Sequence, residues 1–296
     1  MKAISCLPAA TEMINELGLD SFLSGVTFEC PSDKPKVVRS VLEGKHLTSS
    51  EINAIVSQHV KENKSLYFIE QELLEKIEPD IIFTQHVCDV CQVGTSYVEK
   101  AVYQLKKQPK IVPLIPKNLK EIFENIITVA KELGAEERGI ELVNGYEKRI
   151  KHIKSKMKQY NKQKPSVFFM EWISPIYNSG HWIPELVQLA GGIDSLASPE
   201  GNSNAIHFKE LKSYDPEIIV ISPCGYSHKK ARQEVKQLKA LEGWKELKAV
   251  KNNQVFLLDA NFFTQPSIGV VDGIELLASL FHPDLFPTNK TEPLFL

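Results

Sequence analysis

The chain has 296 residues, of which 43% are hydrophobic and 24% charged, values typical of a globular protein large enough for two compact lobes. Because 35 Lys and Arg residues nearly balance 37 Asp and Glu residues, the formal net charge is −2, which argues against a nucleic-acid partner. No apolar run approaches the ~20 residues of a membrane span, and no leader pattern precedes the first predicted strand. We therefore expect no membrane insertion and a cytoplasmic location, or a periplasmic one if a leader has been removed.

Strand-like apolar runs alternate with helical patterns along almost the whole chain, a pattern typical of parallel sheets covered by helices. In the first part, we predict strands over residues 2–6, 25–30, 80–85 and 110–115 and helices over residues 8–17, 50–61, 70–77 and 97–105. In the last part, we predict strands over residues 166–172, 217–222 and 254–259 and helices over residues 183–190, 229–241 and 272–280. The sequence therefore predicts an α/β protein with mostly parallel sheets.

The middle of the chain has helical patterns and no strand. Asn118 and Glu121 form a capping-box pattern that opens an amphipathic helix. A second helix, over residues 136–160, would be about 38 Å long at about 1.5 Å per residue. We predict an N-terminal lobe (1–117), connecting backbone helices (118–163) and a C-terminal lobe (164–296). The alternative is a helix packed within one large sheet domain.

A short internal sequence similarity favours two lobes. Residues 74–82 and 211–219 share one pattern, in which a helix stops at a proline, an acidic residue follows and a buried strand begins. This similarity arises either from duplication or from the residues that commonly end a helix before a strand in α/β proteins.

Ligands of open α/β sheets bind beyond the carboxyl ends of the strands, and all five cysteines stand at such ends. Cys88 and Cys91 are spaced so that both thiolates can reach one metal, with His86 in the same loop as a further ligand. We predict that they converge with Cys6 and Cys30 on a thiol-rich patch, which would hold zinc or iron or contact a ligand's metal. Redox use of the CxxC pair and simple packing are the alternatives.

Aromatic and polar side chains at the strand ends form a second candidate site. Large aromatic rings favour a planar, polarizable ligand, and packing of some rings under loops is the alternative. The predicted ligand-binding residues are Cys6, Glu29, Glu171, Trp172, His181, Trp182, Tyr226, Asn261 and Phe262. The sequence contains no P-loop, GxGxxG, GxSxG or HExxH motif, so no catalytic residue is predicted.

Over essentially its full length, the chain resembles the periplasmic binding proteins for cobalamin and ferric siderophores. Residues 84–91 are similar to a cobalamin-binding-like branch of that family. The other segments that carry the resemblance are residues 6–12, 74–82, 180–182, 191–192 and 242–255. The resemblance implies two lobes bridged by one long helix, little hinge motion and a ligand between the lobes.

The resemblance also implies docking on an ABC importer through one acidic residue on each lobe. Glu72 stands at the matching position of the first lobe. Lys209 stands at the matching position of the second lobe, with Glu210 one residue further on. The residues therefore support importer docking at Glu72 alone.

Two functional hypotheses follow. In the first, the protein binds a small molecule, namely a corrinoid such as cobalamin or another tetrapyrrole-like metal chelate, and has no catalytic activity. In the second, it is a cytoplasmic metal-binding protein or thiol-dependent enzyme that uses Cys88 and Cys91 with His86. Visible absorption of the purified protein distinguishes them, because corrinoids and haem absorb visible light and zinc does not.

Overall fold

The structure, a computed structural model, describes residues 1–62, 64–85, 95–159 and 163–287. The chain divides into two compact units. The first comprises Met1–Leu47, Glu51–Pro116 and Lys120–Asn144, and the second comprises Thr48–Ser50, Lys117–Leu119 and the chain from Gly145 onward.

The first unit contains a six-stranded sheet in the order β4-β3-β2-β1-β5-β6. Its strands are β1 (Ala3–Ser5), β2 (Leu23–Thr27), β3 (Lys36–Ser40), β4 (Tyr67–Ile69), β5 (Ile81–Thr84) and β6 (Lys110–Pro113). Neighbouring strands are parallel except β3 and β4, which are antiparallel. Because β1 lies between β2 and β5, the carboxyl ends of these three strands lie side by side.

Helices α1 (Pro8–Glu16), α2 (Ser49–Lys61), α3 (Gln71–Ile77), α4 (Thr95–Val102) and α5 (Leu119–Glu132) lie wholly or mostly within the first unit. Helix α1 begins at Pro8, whose fixed φ suits the first helical turn. Gly18 follows its end with a φ of 67°, the left-handed conformation that glycine adopts without strain. Proline and glycine thus set the two ends of the helix that follows the first strand.

The second unit contains a three-stranded parallel sheet in the order β7 (Val167–Met170), β8 (Ile218–Ile221) and β9 (Val255–Leu257). Every residue of these strands is buried, which explains why they are continuous apolar runs in the sequence. The helices of this unit are α7 (Ile183–Leu189), α8 (Phe208–Tyr214), α9 (His228–Glu234), α10 (Lys248–Lys251) and α11 (Gly269–Phe281).

Helix α6 (Glu136–Gln159) has 24 residues, which corresponds to about 36 Å at about 1.5 Å per residue. Its residues up to Asn144 belong to the first unit, where the Arg138 guanidinium donates to the Leu17 carbonyl over 3.3 Å. Its later residues belong to the second unit, where Arg149 donates to both carboxylate oxygens of Glu275 at 2.9 and 2.7 Å. A separate side-chain contact therefore fixes the helix within each unit.

The two similar segments have the same local backbone. Helices α3 and α8 are each followed by an acidic residue in the left-handed region, Glu78 with φ 51° and Asp215 with φ 45°. A proline and then a buried strand come next in both places. The sequence similarity thus corresponds to a shared backbone conformation at the end of a helix that precedes a parallel strand.

The predicted fold class is confirmed: this is an α/β protein with two sheets, mostly parallel strands and one long backbone helix. Strands β3 and β4 and helix α10 were not predicted, and helix α8 was predicted only as the helix that stops at Pro216. The domain boundaries at residues 117/118 and 163/164 remain a prediction. Within the described part of the chain, none of the helices combines the length and apolarity that crossing a bilayer requires.

Candidate functional site

Buried thiols and hydroxyls lie at the carboxyl end of the first sheet. Cys6 follows β1 and donates its backbone N–H to the Phe83 carbonyl over 2.9 Å. The Cys30 thiol donates to Thr11 Oγ1 over 3.2 Å, and that hydroxyl donates to Ser5 Oγ over 2.9 Å. Both cysteines are almost fully buried, with exposed fractions of 2% and 3%.

Burial keeps both thiols protonated. Burial, with a smaller contribution from the nearby Cys30, raises the pKa of Cys6 to about 12. Burial also raises the pKa of Cys30, although the Thr11 hydroxyl and the charge of Lys36 oppose the change. Because the thiolate is the reactive and metal-binding form, neither residue has the environment of an activated cysteine.

The wider thiol-rich patch stays a prediction, because His86, Cys88 and Cys91 lie outside the described residues. Within residues 1–62, 64–85, 95–159 and 163–287, no three His, Cys, Asp or Glu side chains are placed to hold a metal. Glu29, the remaining predicted residue of the first unit, is exposed.

In the second unit, Glu171 follows β7 and organises the adjoining loop. Its carboxylate is 8% exposed and accepts the Gly180 N–H over 2.7 Å. Its backbone carbonyl accepts the Cys224 N–H over 3.2 Å, which links the ends of β7 and β8. Glu171 therefore supports the loops at this edge of the sheet.

Trp172 and Tyr226 meet at the same edge. Their ring centroids are 5.0 Å apart with an interplanar angle of 68°, an edge-to-face arrangement. The Trp172 indole N–H donates to the Ser174 carbonyl over 3.1 Å. Trp172 remains partly exposed, whereas Tyr226 is only 5% exposed. Tyr226 thus backs a ring that is accessible to a ligand.

His181 and Trp182 follow the loop that Glu171 holds. His181 is partly exposed, and burial lowers the pKa of its imidazole, which favours the neutral ring. Trp182 is 3% exposed, and its indole N–H donates to the Phe263 carbonyl over 2.7 Å. The two neighbours therefore differ: the histidine reaches the surface, and the tryptophan packs within the unit.

Asn261 and Phe262 lie in the segment after β9. Asn261 is exposed and accepts a hydrogen bond from the Gln265 side-chain amide over 2.9 Å. Phe262 is partly exposed, with its ring centroid 6.4 Å from that of the buried Phe263. The predicted residues of this unit thus divide into accessible ones (Trp172, His181, Asn261 and Phe262) and buried ones (Glu171, Trp182 and Tyr226).

The two positions considered for importer docking are on helix surfaces. Glu72 is exposed in the first turn of α3. Lys209 and Glu210 are exposed at the start of α8, where the Glu210 carboxylate accepts the His207 N–H over 2.8 Å. Part of the Glu210 acceptor capacity is therefore used in capping its own helix.

Asp194 is a polar residue of this unit that the sequence analysis missed. Its carboxylate accepts hydrogen bonds from Phe169 N at 3.0 Å, Ser179 Oγ at 3.1 Å and Leu196 N at 3.1 Å. Burial nevertheless raises the pKa of Asp194 to about 6. An isolated Asp after the Gly191-Gly192 helix stop has no sequence pattern that would have identified it.

We expect Asp194 to make the free energy of unfolding depend on pH. Because its pKa is raised from 3.8 to about 6, the folded state binds this proton more tightly than the unfolded state. The free energy of unfolding should therefore fall as the pH rises from about 4 to about 6, by at most ~1.4 kcal/mol per pH unit. Urea titrations of the wild type and of Asp194→Asn across this range check it. An equal slope in both proteins would contradict the assignment.

The uncharacterized ABC transporter substrate-binding lipoprotein YvrC of Bacillus subtilis is 23% identical over 292 residues, which cover 96% of this chain and 81% of YvrC. The vitamin B12-binding protein of Vibrio cholerae is 26% identical over 163 residues, which cover 54% of this chain and 55% of that protein.

Among solved structures, the periplasmic heme-binding protein RhuT from Roseiflexus in its apo form superposes with a TM-score of 0.70 at 14% identity. The superposition covers 95% of this chain and 98% of RhuT. This likeness concerns the fold alone. The expected cytoplasmic location finds no support, because the named relatives are a lipoprotein and periplasmic proteins.

The sequence profile of the family described as periplasmic binding protein matches residues 39–262, which is most of the chain. Family membership agrees with the two sheets of mostly parallel strands and with the long helix α6. The chain therefore belongs to the periplasmic binding protein family and is a substrate-binding protein of the ABC-importer type.

Proposed function

We propose that the protein binds a corrinoid or haem-like metal chelate against the carboxyl ends of the strands of its second unit. The observation that carries this proposal is the accessible Trp172 ring, backed edge-on by Tyr226 with 5.0 Å between centroids. A planar macrocycle is the ligand that such a ring binds best, because stacking uses the whole face of the indole.

The neighbouring accessible residues support the same ligand class. Phe262 offers a second partly exposed ring, and His181 has a lowered pKa, so that it offers a neutral imidazole at neutral pH. A neutral imidazole suits iron or cobalt. The names of two relatives agree with this chemistry, since one is a vitamin B12-binding protein and another a periplasmic heme-binding protein.

We further propose that ligand delivery runs through an ABC importer. Exposed Glu72 on α3 would contact the importer from the first unit, and Glu210 on α8 from the second. Lys209 beside Glu210 lowers the net negative charge of that second surface. The proposed docking therefore depends more on Glu72 than on Glu210.

Replacing Trp172 with alanine is expected to weaken ligand binding about tenfold, since aromatic stacking contributes about 0.5–1.5 kcal/mol beyond burial. Titrations with cobalamin, cobinamide and haem, followed by visible absorption, measure the affinity. We expect Trp172→Phe to keep most of the affinity, because a planar ring remains.

The matched control is Tyr214→Ala. Tyr214 is a partly buried aromatic residue of the same unit, and its hydroxyl donates to the carbonyls of Val167 at 3.2 Å and Ile193 at 2.8 Å, at the opposite end of β7. Its loss should leave the affinity unchanged in folded protein. The proposal is wrong if the wild type binds none of the three compounds, or if Trp172→Ala and Tyr214→Ala have equal effects.

A further inference from the structure

Lys230 lies directly beside the aromatic pair of the second unit. Its ammonium nitrogen is 3.9 Å from the centroid of the Tyr226 ring, a cation–π contact. Ser227 caps α9 by accepting the Lys230 N–H over 3.4 Å, which fixes the position of the lysine in the first turn. The side chain is partly exposed, and the Trp172 ring packs on the same tyrosine with 5.0 Å between ring centroids.

No carboxylate within the described ranges lies at salt-bridge distance from the Lys230 ammonium. Glu234, one turn further along α9, has other partners. Its Oε2 atom accepts from Ser49 N at 2.9 Å, Ser49 Oγ at 2.7 Å and Gln237 Nε2 at 3.2 Å. Lys230 is therefore a partly buried cation, and the nearest carboxylate on its own helix accepts hydrogen bonds from other residues.

Helix stability does not explain a lysine at this place. Cations favour the last turn of a helix and are disfavoured in the first, where the backbone N–H groups carry partial positive charge. The first turn of α9 nevertheless contains His228, Lys229 and Lys230 and no acidic residue. Burial also lowers the pKa of Lys230 because its charge loses hydration, although the charge of Glu234 one turn further on opposes the change. An acidic group on a bound ligand would offset this loss of hydration.

Building on the proposed function, we infer that Lys230 binds an acidic oxyanion, a carboxylate or a phosphate, at the rim of a metal chelate stacked on Trp172. The ligand class is thereby narrowed to anionic chelates. The ring of the ligand would lie on the indole, and its acidic group would accept hydrogen bonds from the ammonium. Lys230 would thus determine specificity, while Trp172 and Tyr226 would provide the surface.

Two pairs of compounds test this inference, because the members of each pair differ in the acidic group. Haem is compared with haem dimethyl ester for a carboxylate source, and cobinamide phosphate with cobinamide for a phosphate source. We expect Lys230→Gln to weaken the acidic member of at least one pair about tenfold, as losing one charged hydrogen bond does. The member of each pair that lacks the acidic group should change less than twofold, and Lys230→Arg should retain binding.

Lys229→Gln is the matched control, since it removes an equal charge from an exposed position in the same turn. Its affinities should equal those of the wild type. If Lys230→Gln weakens both members of each pair alike, or neither, this inference is overturned while the proposed function stands. If the wild type binds none of the four compounds, both the proposed function and this inference are wrong.

Discussion

Replacing Trp182 with alanine is expected to lower the free energy of unfolding by about 3–5 kcal/mol, the usual range for deleting a large buried aromatic side chain. The indole is 3% exposed, and its N–H donates to the Phe263 carbonyl over 2.7 Å. The substitution would remove the packed ring and leave that carbonyl without its partner. Urea denaturation of the ligand-free protein, followed by circular dichroism, measures the change.

Trp182→Phe separates packing from ligand contact. It keeps a buried ring and loses the indole N–H, so we expect a smaller loss of stability and an unchanged ligand affinity. Trp172→Ala is the comparison, because its partly exposed ring should contribute more to binding than to folding. If Trp182→Phe folds well and binds ligand ten times more weakly, Trp182 contacts the ligand as the sequence predicted.

The fold was largely predictable because strong periodicity marks most of its elements. The apolar runs that became β5, β7 and β8 are buried on both faces, as expected of parallel strands whose sheet is covered on both sides. Strand β4 is three residues long and antiparallel to its neighbour, and β3 carries charged residues at two of its five positions. The charges interrupt the apolar pattern of β3, and the apolar residues of β4 form a strand of only three residues, so both were missed.

The strand ends were predictable as locations, but the exposure of each side chain there was not. Trp172 and Trp182 are the same residue type and stand ten positions apart, yet one is partly exposed and the other is buried. The difference depends on Phe263, which lies 81 positions beyond Trp182 and accepts its indole N–H. Contacts between residues so far apart in the chain produce no periodic pattern in a single sequence, so they could not be predicted.

The reactivity of the cysteines was also not predictable from the sequence. Sequence placed Cys6 and Cys30 at neighbouring strand ends, which the strand order β2-β1-β5 fits. Their protonation state depends on burial, and burial raises the pKa of both thiols. A strand-end position therefore predicts which residues are neighbours, whereas the local dielectric decides whether a thiol can react or bind a metal.

Gly180→Ala is expected to disturb both the fold and the candidate site. A Cβ atom at Gly180 would lie 2.3 Å from Ser203 N and 2.7 Å from the Asn202 carbonyl carbon, both of them backbone atoms that cannot rotate away. The Gly180 N–H also donates to the buried Glu171 carboxylate over 2.7 Å. Relieving the clash would pull this N–H from Glu171 and shift His181.

We expect Gly180→Ala to lower the free energy of unfolding by about 3 kcal/mol, at the upper end for overpacking, and to weaken ligand binding at least tenfold. Gly145→Ala is the matched control, because Gly145 lies within α6 and a Cβ there would meet no atom within 4 Å. Alanine should stabilise that helix by about 0.5–1 kcal/mol. Urea midpoints and haem or cobalamin titrations of both variants give the comparison. If Gly180→Ala keeps wild-type affinity despite its lower stability, the loop after Glu171 serves the fold and lies away from the ligand.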